Sequence, residues 1–259
     1  MRHDSHILNS VESTWQLMNW RQLRLSWQSC PVCRTRTPVL RLNQNEISVR
    51  CLKCRSSAIT MSLISVLNDL IPDLRQKSVY EMSSRGPLLR YLVENAGELT
   101  FSEYFDNIAP GEKKGSVQCQ DAERLTYRSF SFDICTSMEV FEHVPDDMQG
   151  FSEICRVLKP GGLFIFTVPL FSSHGTVERA RKLENGDIEY LLSPEYHGDN
   201  IRGWGRVLAF RNYGTDIVAR LRRSGFADAM IRWPPDEIPW GYARPVVVGI
   251  KGQPFDRPL

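Results

Sequence analysis

Apolar positions change period along this chain, and each change marks an element. Phe132, Ile134 and Thr136 alternate with polar or small neighbours, the period of a half-buried strand. Leu163, Phe164, Ile165 and Phe166 form a continuous apolar run, which suits a parallel strand covered on both faces. Between them Met148, Phe151, Ile154, Cys155 and Leu158 recur at three- and four-residue spacing, an apolar stripe for one face of a helix. Lys159 is expected in the last turn of that helix, with Pro160-Gly161-Gly162 stopping it. Strand, helix and strand in this order predict a parallel crossover. The fold class is therefore α/β, an open and mostly parallel sheet with ligands at the carboxyl ends of its strands.

The flanking segments extend the sheet. Ser78–Met82 reads as a strand, Ser83–Pro87 as a tight turn, and Leu88, Leu89, Tyr91, Leu92 and Val93 as a helix. Leu99–Tyr104 and Val117–Gln120 read as two more strands. Towards the end, Ile217, Val218 and Leu221 give a helix closed at Gly225. Ala229–Trp233 and Pro245–Ile250 then form a closing antiparallel pair.

A chain of 259 residues holds one such domain and a small appendage. The division expected is 1–60 for an N-terminal arm and lobe, and 61–259 for the α/β domain with an insertion at about 171–210. No signal-peptide core or membrane-length apolar run is read, so the cytoplasm is the expected location. Net charge is +2 overall but uneven: residues 1–60 carry nine Lys and Arg against three acids, +6, which leaves −4 for the rest. A polyanion would bind the basic end, if one binds at all.

Cys30-x2-Cys33 and Cys51-x2-Cys54, seventeen residues apart, have the spacing of a zinc ribbon. Val39, Leu40 and Leu42, then Ile47 and Val49, flank Asn43-Gln44-Asn45 as a hairpin carrying the two knuckles. The residue after each pair is Arg34 or Arg55, where such knuckles often carry glycine. Four thiolates leave no open position, so a zinc ion here is structural, folding a lobe too small to fold alone. Cys119, Cys135 and Cys155 lie in apolar segments and read as core.

The wording of Phe130–Pro169, with Phe132-Asp133 ahead of Glu139, Glu142-His143-x-Pro145 and Arg156-Val-Leu-Lys-Pro-Gly-Gly, resembles class I S-adenosylmethionine (SAM) dependent methyltransferases. The resemblance runs over roughly Val79–Phe226. Tyr80–Leu92, Ser102–Tyr104 and Pro194–Asp199 also resemble a zinc-ribbon-headed bacterial subgroup. It implies a Rossmann-like methyltransferase sheet and SAM as cofactor. Glu81, Ser83 and Gly86 would form the cofactor loop, although one glycine stands where the family usually has two or three. Glu103 lies twenty-two residues after Glu81, near the spacing at which nucleotide-binding α/β folds hold ribose hydroxyls. By resemblance Asp121 meets the adenine, with Ala122 beside it and Met138 completing the set.

Methyl transfer from a sulfonium is an in-line displacement, so positioning carries much of the catalysis. A hydroxyl acceptor must also lose a proton, which calls for a base or a metal. If residues 139–143 are helical, Glu139, Glu142 and His143 share one side and could hold Mg²⁺. They resemble the E-x-x-E-H of metal-assisted O-methyltransferases; a His that braces the loop before Pro145 is the other reading. In the insertion, His197 is the candidate general base, with Tyr196 and Trp204 as substrate walls; His174 and Gly203 lie in the same stretch. Arg179, Arg181 and Lys182 fit either an anion grip or a solvated helix face. Trp15, Trp20 and Trp27 fit an arm packed on the body or an aromatic platform for nucleic acid.

The expected activity is methyl transfer to a small-molecule acceptor, a hydroxyl of a sugar or other polyhydroxylated metabolite. Two alternatives stand beside it: an RNA methyltransferase docking through the basic lobe, and a non-catalytic SAM-fold binding protein.

Overall fold

A computed structural model describes residues 21–173, 175–199 and 205–253, with Asp199 as backbone only. Trp15, Trp20, His174, Gly203, Trp204 and the Asp199 side chain therefore lie outside the described residues.

The chain enters through a small antiparallel sheet of β1 (Arg24–Cys30), β2 (Thr35–Arg41) and β3 (Val49–Cys51). The expected hairpin exists, with a one-turn helix at Glu46–Ser48 capped by the Asn45 side chain, and β1 adds a third strand. A helix that the sequence reading passed over follows: α1 (Ala58–Leu70), with Ser57 Oγ accepting from Thr60 N at 3.2 Å. Its first turn closes the lobe's own core. Cys30, Val39, Val49 and Cys51 pack with Ala58, Met61 and Ile238 in one cluster. The lobe and the larger domain thus share apolar contacts, and residue 60 falls inside α1.

The main sheet contains β4 (Ser78–Glu81), β5 (Glu98–Glu103), β6 (Lys113–Lys114), β7 (Val117–Cys119), β8 (Phe132–Met138) and β9 (Leu158–Thr167). Helix α2 (Pro87–Asn95) joins β4 to β5, and α3 (Asp147–Val157) joins β8 to β9. Between β9 and α4 (Ile217–Arg223) the insertion supplies six short strands: β10 (Val177–Glu178), β11 (Ala180–Lys182), β12 (Ile188–Tyr190), β13 (Tyr196–Asp199), β14 (Gly205–Leu208) and β15 (Arg211–Asn212). They pair as β10–β15, β11–β12 and β13–β14. Arg181 and Lys182 accordingly sit on a strand, not on the helix face considered from sequence. The chain closes with β16 (Asp228–Arg232) and β17 (Val246–Ile250).

Strand order is β16-β17-β9-β8-β4-β5-β7-β6. The run from β9 to β7 is parallel; β17 is antiparallel to β9, and β16 to β17, as expected. One apolar cluster, including Phe141, Phe151, Phe164 and Phe166, covers one face. A second, built on Leu63, Leu67, Leu88 and Leu92, covers the other. Connections run outward in opposite directions from the β4/β8 junction, the switch point where an open α/β sheet leaves a crevice.

One local expectation is corrected. Lys159 is not in a helical turn, because α3 ends at Val157 and β9 begins at Leu158 by pairing with Phe132. Its ammonium instead donates to Asp133 Oδ2 at 2.8 Å and Ser78 Oγ at 3.0 Å, pinning the start of three adjacent strands. The pairing outweighs the helical stripe because Leu158 buries fully against the sheet. Among the described residues, no helix is long and apolar enough to cross a membrane.

Candidate active site

A cleft of about 570 Å³ opens at the carboxyl ends of β4, β5 and β8, between the sheet and the insertion. Ser83, Glu103, Asp121, Ala122 and Met138, all expected from sequence, line its sheet side. Glu103 is nearly buried at the end of β5, and its Oε2 accepts from Ser84 N at 3.2 Å and Ser84 Oγ at 3.0 Å. The serine-rich turn therefore meets the acid directly, which compensates for its thin glycine content. Burial raises the Glu103 carboxyl above its ordinary range. Asp121 Oδ1 accepts from Glu123 N at 2.9 Å, an Asx turn that ends β7 sharply at the rim.

Two expected cofactor residues do not line the cleft, and of the expected catalytic group Glu142 and His197 do not line it either. Glu81 points into the core, where the Thr136 hydroxyl donates to it and burial pushes its carboxyl to about 8. Met82, the next residue, reaches the cleft in its place. Gly86 sits behind the rim as the cap of α2 with φ +100°, a backbone region open to glycine at little cost. Its role is to turn the chain.

The opposite wall carries the titratable groups. Residues 139–143 do not form the helix considered from sequence. Glu139 has φ +55°, and only Phe141–His143 makes a single tight turn. That kink sends Glu139 away from its expected partners, so that Arg244 Nη2 donates to its Oε2 at 2.7 Å. Burial, then the charge of Glu142, lifts the Glu139 carboxyl to about 7. Glu142 and His143 do come together, and the third member is His197, brought by β13 from the insertion. Donor atoms of Glu142, His143 and His197 all lie within 4.8 Å of one another.

The geometry within this trio is unusual. Glu142 is 1% exposed and neither carboxylate oxygen has a hydrogen-bond partner among the described residues. A buried carboxylate in that condition costs several kcal/mol unless something cationic meets it. His143 Nδ1 lies 2.8 Å from the Leu208 carbonyl, so a neutral ring donates there and presents Nε2 to Glu142 Oε1 at 3.6 Å. His197 Nδ1 is also 3.6 Å from Glu142 Oε1, and its Nε2 is 3.2 Å from Glu195 Oε1. Glu142, then Glu195, raises the His197 imidazole against the opposing effect of burial. Two imidazole nitrogens thus converge on one unsatisfied carboxylate.

Sequence reasoning missed what holds the trio. Arg211, 3% exposed in β15, donates to the carbonyls of Phe141 (3.2 Å), Val144 (2.5 Å) and Pro145 (2.6 Å). Phe210 N donates to Glu142 O at 2.8 Å. The same stretch that ends the insertion therefore clamps the Glu142–His143 turn. Nothing in the local pattern marks Arg211, because its carbonyl partners lie about seventy residues away. Of the expected substrate walls, Tyr196 is half exposed and does not line the cleft; Gly198, Val207, Leu208 and Phe210 do.

The four cysteines converge as their spacing predicted. Their sulfurs all lie within 4.8 Å of one another, with Cys30–Cys54 at 3.6 Å and Cys33–Cys51 at 3.9 Å. A tetrahedron with Zn–S bonds of about 2.3 Å has edges of about 3.8 Å, so the set fits zinc. Arg34 and Arg55 adopt φ +50° and +63°, the left-handed turn that glycine usually supplies at a knuckle. Arg244 links this lobe to the cleft: while Nη2 holds Glu139, Nη1 donates to Glu46 Oε1 at 2.6 Å.

Residues 86–166 match the family described as Methyltransferase domain. The ubiquinone biosynthesis O-methyltransferase of Coxiella burnetii is 32% identical over 103 residues, 36% of this chain and 44% of that protein. A phthiotriol/phenolphthiotriol dimycocerosates methyltransferase of Mycobacterium ulcerans is 31% identical over 117 residues, 43% of this chain and 40% of that protein. The chain thus spans less than half the length of these relatives. Among solved structures, an S-adenosylmethionine dependent methyltransferase from Mesorhizobium loti is similar with a TM-score of 0.47 and 18% identity, over 72% of this chain and 96% of that one.

Proposed function

We propose that the α/β domain, whose residues 86–166 match the Methyltransferase domain family, is a class I SAM-dependent methyltransferase and transfers a methyl group from SAM to a hydroxyl of a small-molecule acceptor. The observation that supports this reading best is the two-walled cleft. Cofactor-type residues line the sheet side; opposite them His143 lines the cleft, with Glu142 and His197 grouped on it off the lining and the Glu142 carboxylate unsatisfied.

On the sheet side Glu103 and Asp121 hold the nucleoside end, and the Ser83–Ser84 turn approaches the amino-acid end. Met138 and Val140 present an apolar floor between them. The chemistry sits on the insertion side. A divalent cation held by Glu142, His143 and His197 would acidify an acceptor hydroxyl and so supply the nucleophile near neutral pH. Two imidazoles and one carboxylate form a softer donor set than Mg²⁺ prefers, and suit Mn²⁺, Fe²⁺ or Zn²⁺ better. His197 acts in this arrangement as a ligand. Both of its nitrogens face carboxylates, which favours its protonated form whenever no cation is there and makes it a poor free base. Val207, Leu208 and Phe210 exclude water from the acceptor side.

Sugars and other polyhydroxylated metabolites remain the acceptors of choice in this reading, with phenolic hydroxyls next because the ubiquinone-pathway relative carries that name. The experiment is formation of S-adenosylhomocysteine from SAM across a panel of both acceptor types, with and without Mn²⁺. Turnover that needs a hydroxyl acceptor and is stimulated by Mn²⁺ is expected. Failure to bind SAM in calorimetry would sink the activity itself, and turnover indifferent to Mn²⁺ would remove the cation.

A further inference from the structure

The cysteine lobe carries more charge than a structural role requires, and the charge is placed. Among residues 21–57 there are eight Lys and Arg and a single acid, Glu46, which Arg244 already occupies. Arg34, Arg36, Lys53 and Arg55 are exposed, and none of them pairs with a carboxylate among the described residues. Arg34 and Arg55 flank the two knuckles, and Lys53 Nζ reaches Thr35 Oγ1 at 3.4 Å across them. These cations therefore gather at one end of the lobe, around the four sulfurs.

Two of them hold their places against the backbone. The left-handed conformation at Arg34 and Arg55 costs an L-residue roughly 1–2 kcal/mol that glycine avoids. A left-handed arginine at both knuckles is hard to explain by folding alone, and points towards use of its side chain.

The strands add a second feature. Residues directly opposite in an antiparallel pair share a face, and Trp27 pairs with Pro38, Leu25 with Leu40 and Ser29 with Arg36. Gln28, Cys30, Thr37 and Val39 alternate to the other, inward face. The outward face thus carries Trp27, 64% exposed, and Leu25, 60% exposed, beside Arg36 and next to the knuckle cations. An exposed indole flanked by unpaired guanidinium groups is the combination that tracks a phosphodiester backbone while stacking an unpaired base.

We infer that this face of the lobe docks single-stranded RNA, with Trp27 stacking a base and Arg34, Arg36, Lys53 and Arg55 meeting its phosphates. Unpaired bases are needed because, among the described residues, no strand or helix stands beside Trp27 on this open sheet face to reach into a groove. Single strands offer such bases, and a duplex keeps them stacked inside. The inference is independent of which acceptor the cleft methylates.

The test uses the full zinc-loaded chain and a fluorescent unpaired RNA of about twelve nucleotides. Anisotropy is read from low to physiological salt. Binding is expected in the micromolar range or tighter at low salt, weakening steeply as salt rises. Replacing Arg34, Arg36, Lys53 and Arg55 with Gln should weaken it about 100-fold and flatten the salt slope by about 3, at roughly 0.7 per phosphate contact. Trp27→Ala should weaken it about tenfold with the slope kept. Zinc content, melting temperature and SAM affinity should be unchanged in both variants. No binding at low salt, binding indifferent to the four substitutions, or equal affinity for duplex RNA would each overturn the inference. So would capture by phosphatidylserine vesicles through these residues without RNA binding, which would make the face a membrane contact.

Discussion

Two donor clusters sit in this molecule, and they differ in every respect that separates scaffold from chemistry. The four cysteines form a closed set of equal donors that leaves a tetrahedral ion no free position. They belong to one local lobe, Cys30 and Cys51 on its strands and in its core, Cys33 and Cys54 in the turns beside them. Glu142, His143 and His197 form an open set of mixed donors, on a kinked turn and an inserted hairpin, of which His143 lines the 570 Å³ cleft. The first cluster completes a lobe; the second leaves a buried carboxylate unsatisfied. A closed set stabilises its surroundings, whereas an open one keeps part of its interaction energy for something that arrives later.

The contrast can be broken most forcefully at the lobe. Cys30→Ala should abolish the one zinc expected per chain and unfold the lobe, since structural zinc contributes on the order of 10 kcal/mol. Zinc analysis and a thermal melt check this; a melt that keeps its midpoint would mean the sulfurs are ordinary core. Glu142→Gln bears on function more than on stability. Without added divalent ion it trades the desolvation of a buried carboxylate against its attraction to the His197 imidazolium at 3.6 Å, so denaturant unfolding should change by less than about 1 kcal/mol, with methyl transfer down about 100-fold. A loss of several kcal/mol would make the Glu142–His197 pair part of the scaffold.

Subtler tests concern what holds the open set. Arg211→Lys keeps the charge but cannot serve the carbonyls of Phe141, Val144 and Pro145 together. Mn²⁺ affinity should drop about tenfold while S-adenosylhomocysteine affinity stays within about twofold, because Arg211 holds the ligand turn, Glu178 and Asp147 but none of Ser83, Glu103 and Asp121. Parallel losses in both affinities would reduce Arg211 to general scaffold. Glu81 serves as the control carboxylate, buried but partnered. Its folded pKa, raised to about 8, lies above the unfolded value of about 4.3. The folded state therefore holds this proton more tightly, and stability falls as pH rises between those values. Glu81→Gln should flatten that fall, and the variant should be more stable than the parent by about 2–4 kcal/mol at pH 8 with little difference at pH 4.5. Equal slopes would show that Thr136 and the backbone hold Glu81 ionised.

Legibility followed the range of the forces involved. The β8–α3–β9 crossover, the strands on either side of it and the cysteine quartet could all be read from the chain. Each is fixed by periodicity or by ligands paired within a few residues. Helix α1 was missed although Ser57 caps it, because ten consecutive buried residues give no amphipathic period. Lys159 was misplaced because the apolar stripe runs through Leu158, while the sheet claims that residue for β9.

In the cleft, Ser83, Glu103, Asp121, Ala122 and Met138 were found by their place at strand ends, a property of the topology itself. The Glu139–Glu142–His143 grouping rested on helical spacing. One left-handed residue, Glu139, was enough to trade its first member for His197.

By itself, then, the sequence determined the α/β sheet, the crevice at its strand ends and the four-sulfur lobe. Local period, turn residues and short ligand spacings need no partner from elsewhere in the chain. Only the tertiary structure decided that His197 joins Glu142 and His143, that Arg211 clamps their turn, and that Arg244 ties Glu46 of the lobe to Glu139 at the cleft. Those contacts join residues roughly 55 to 200 positions apart. They exist because an inserted hairpin and a closing strand fold back over the sheet, where buried charges must find partners across the fold.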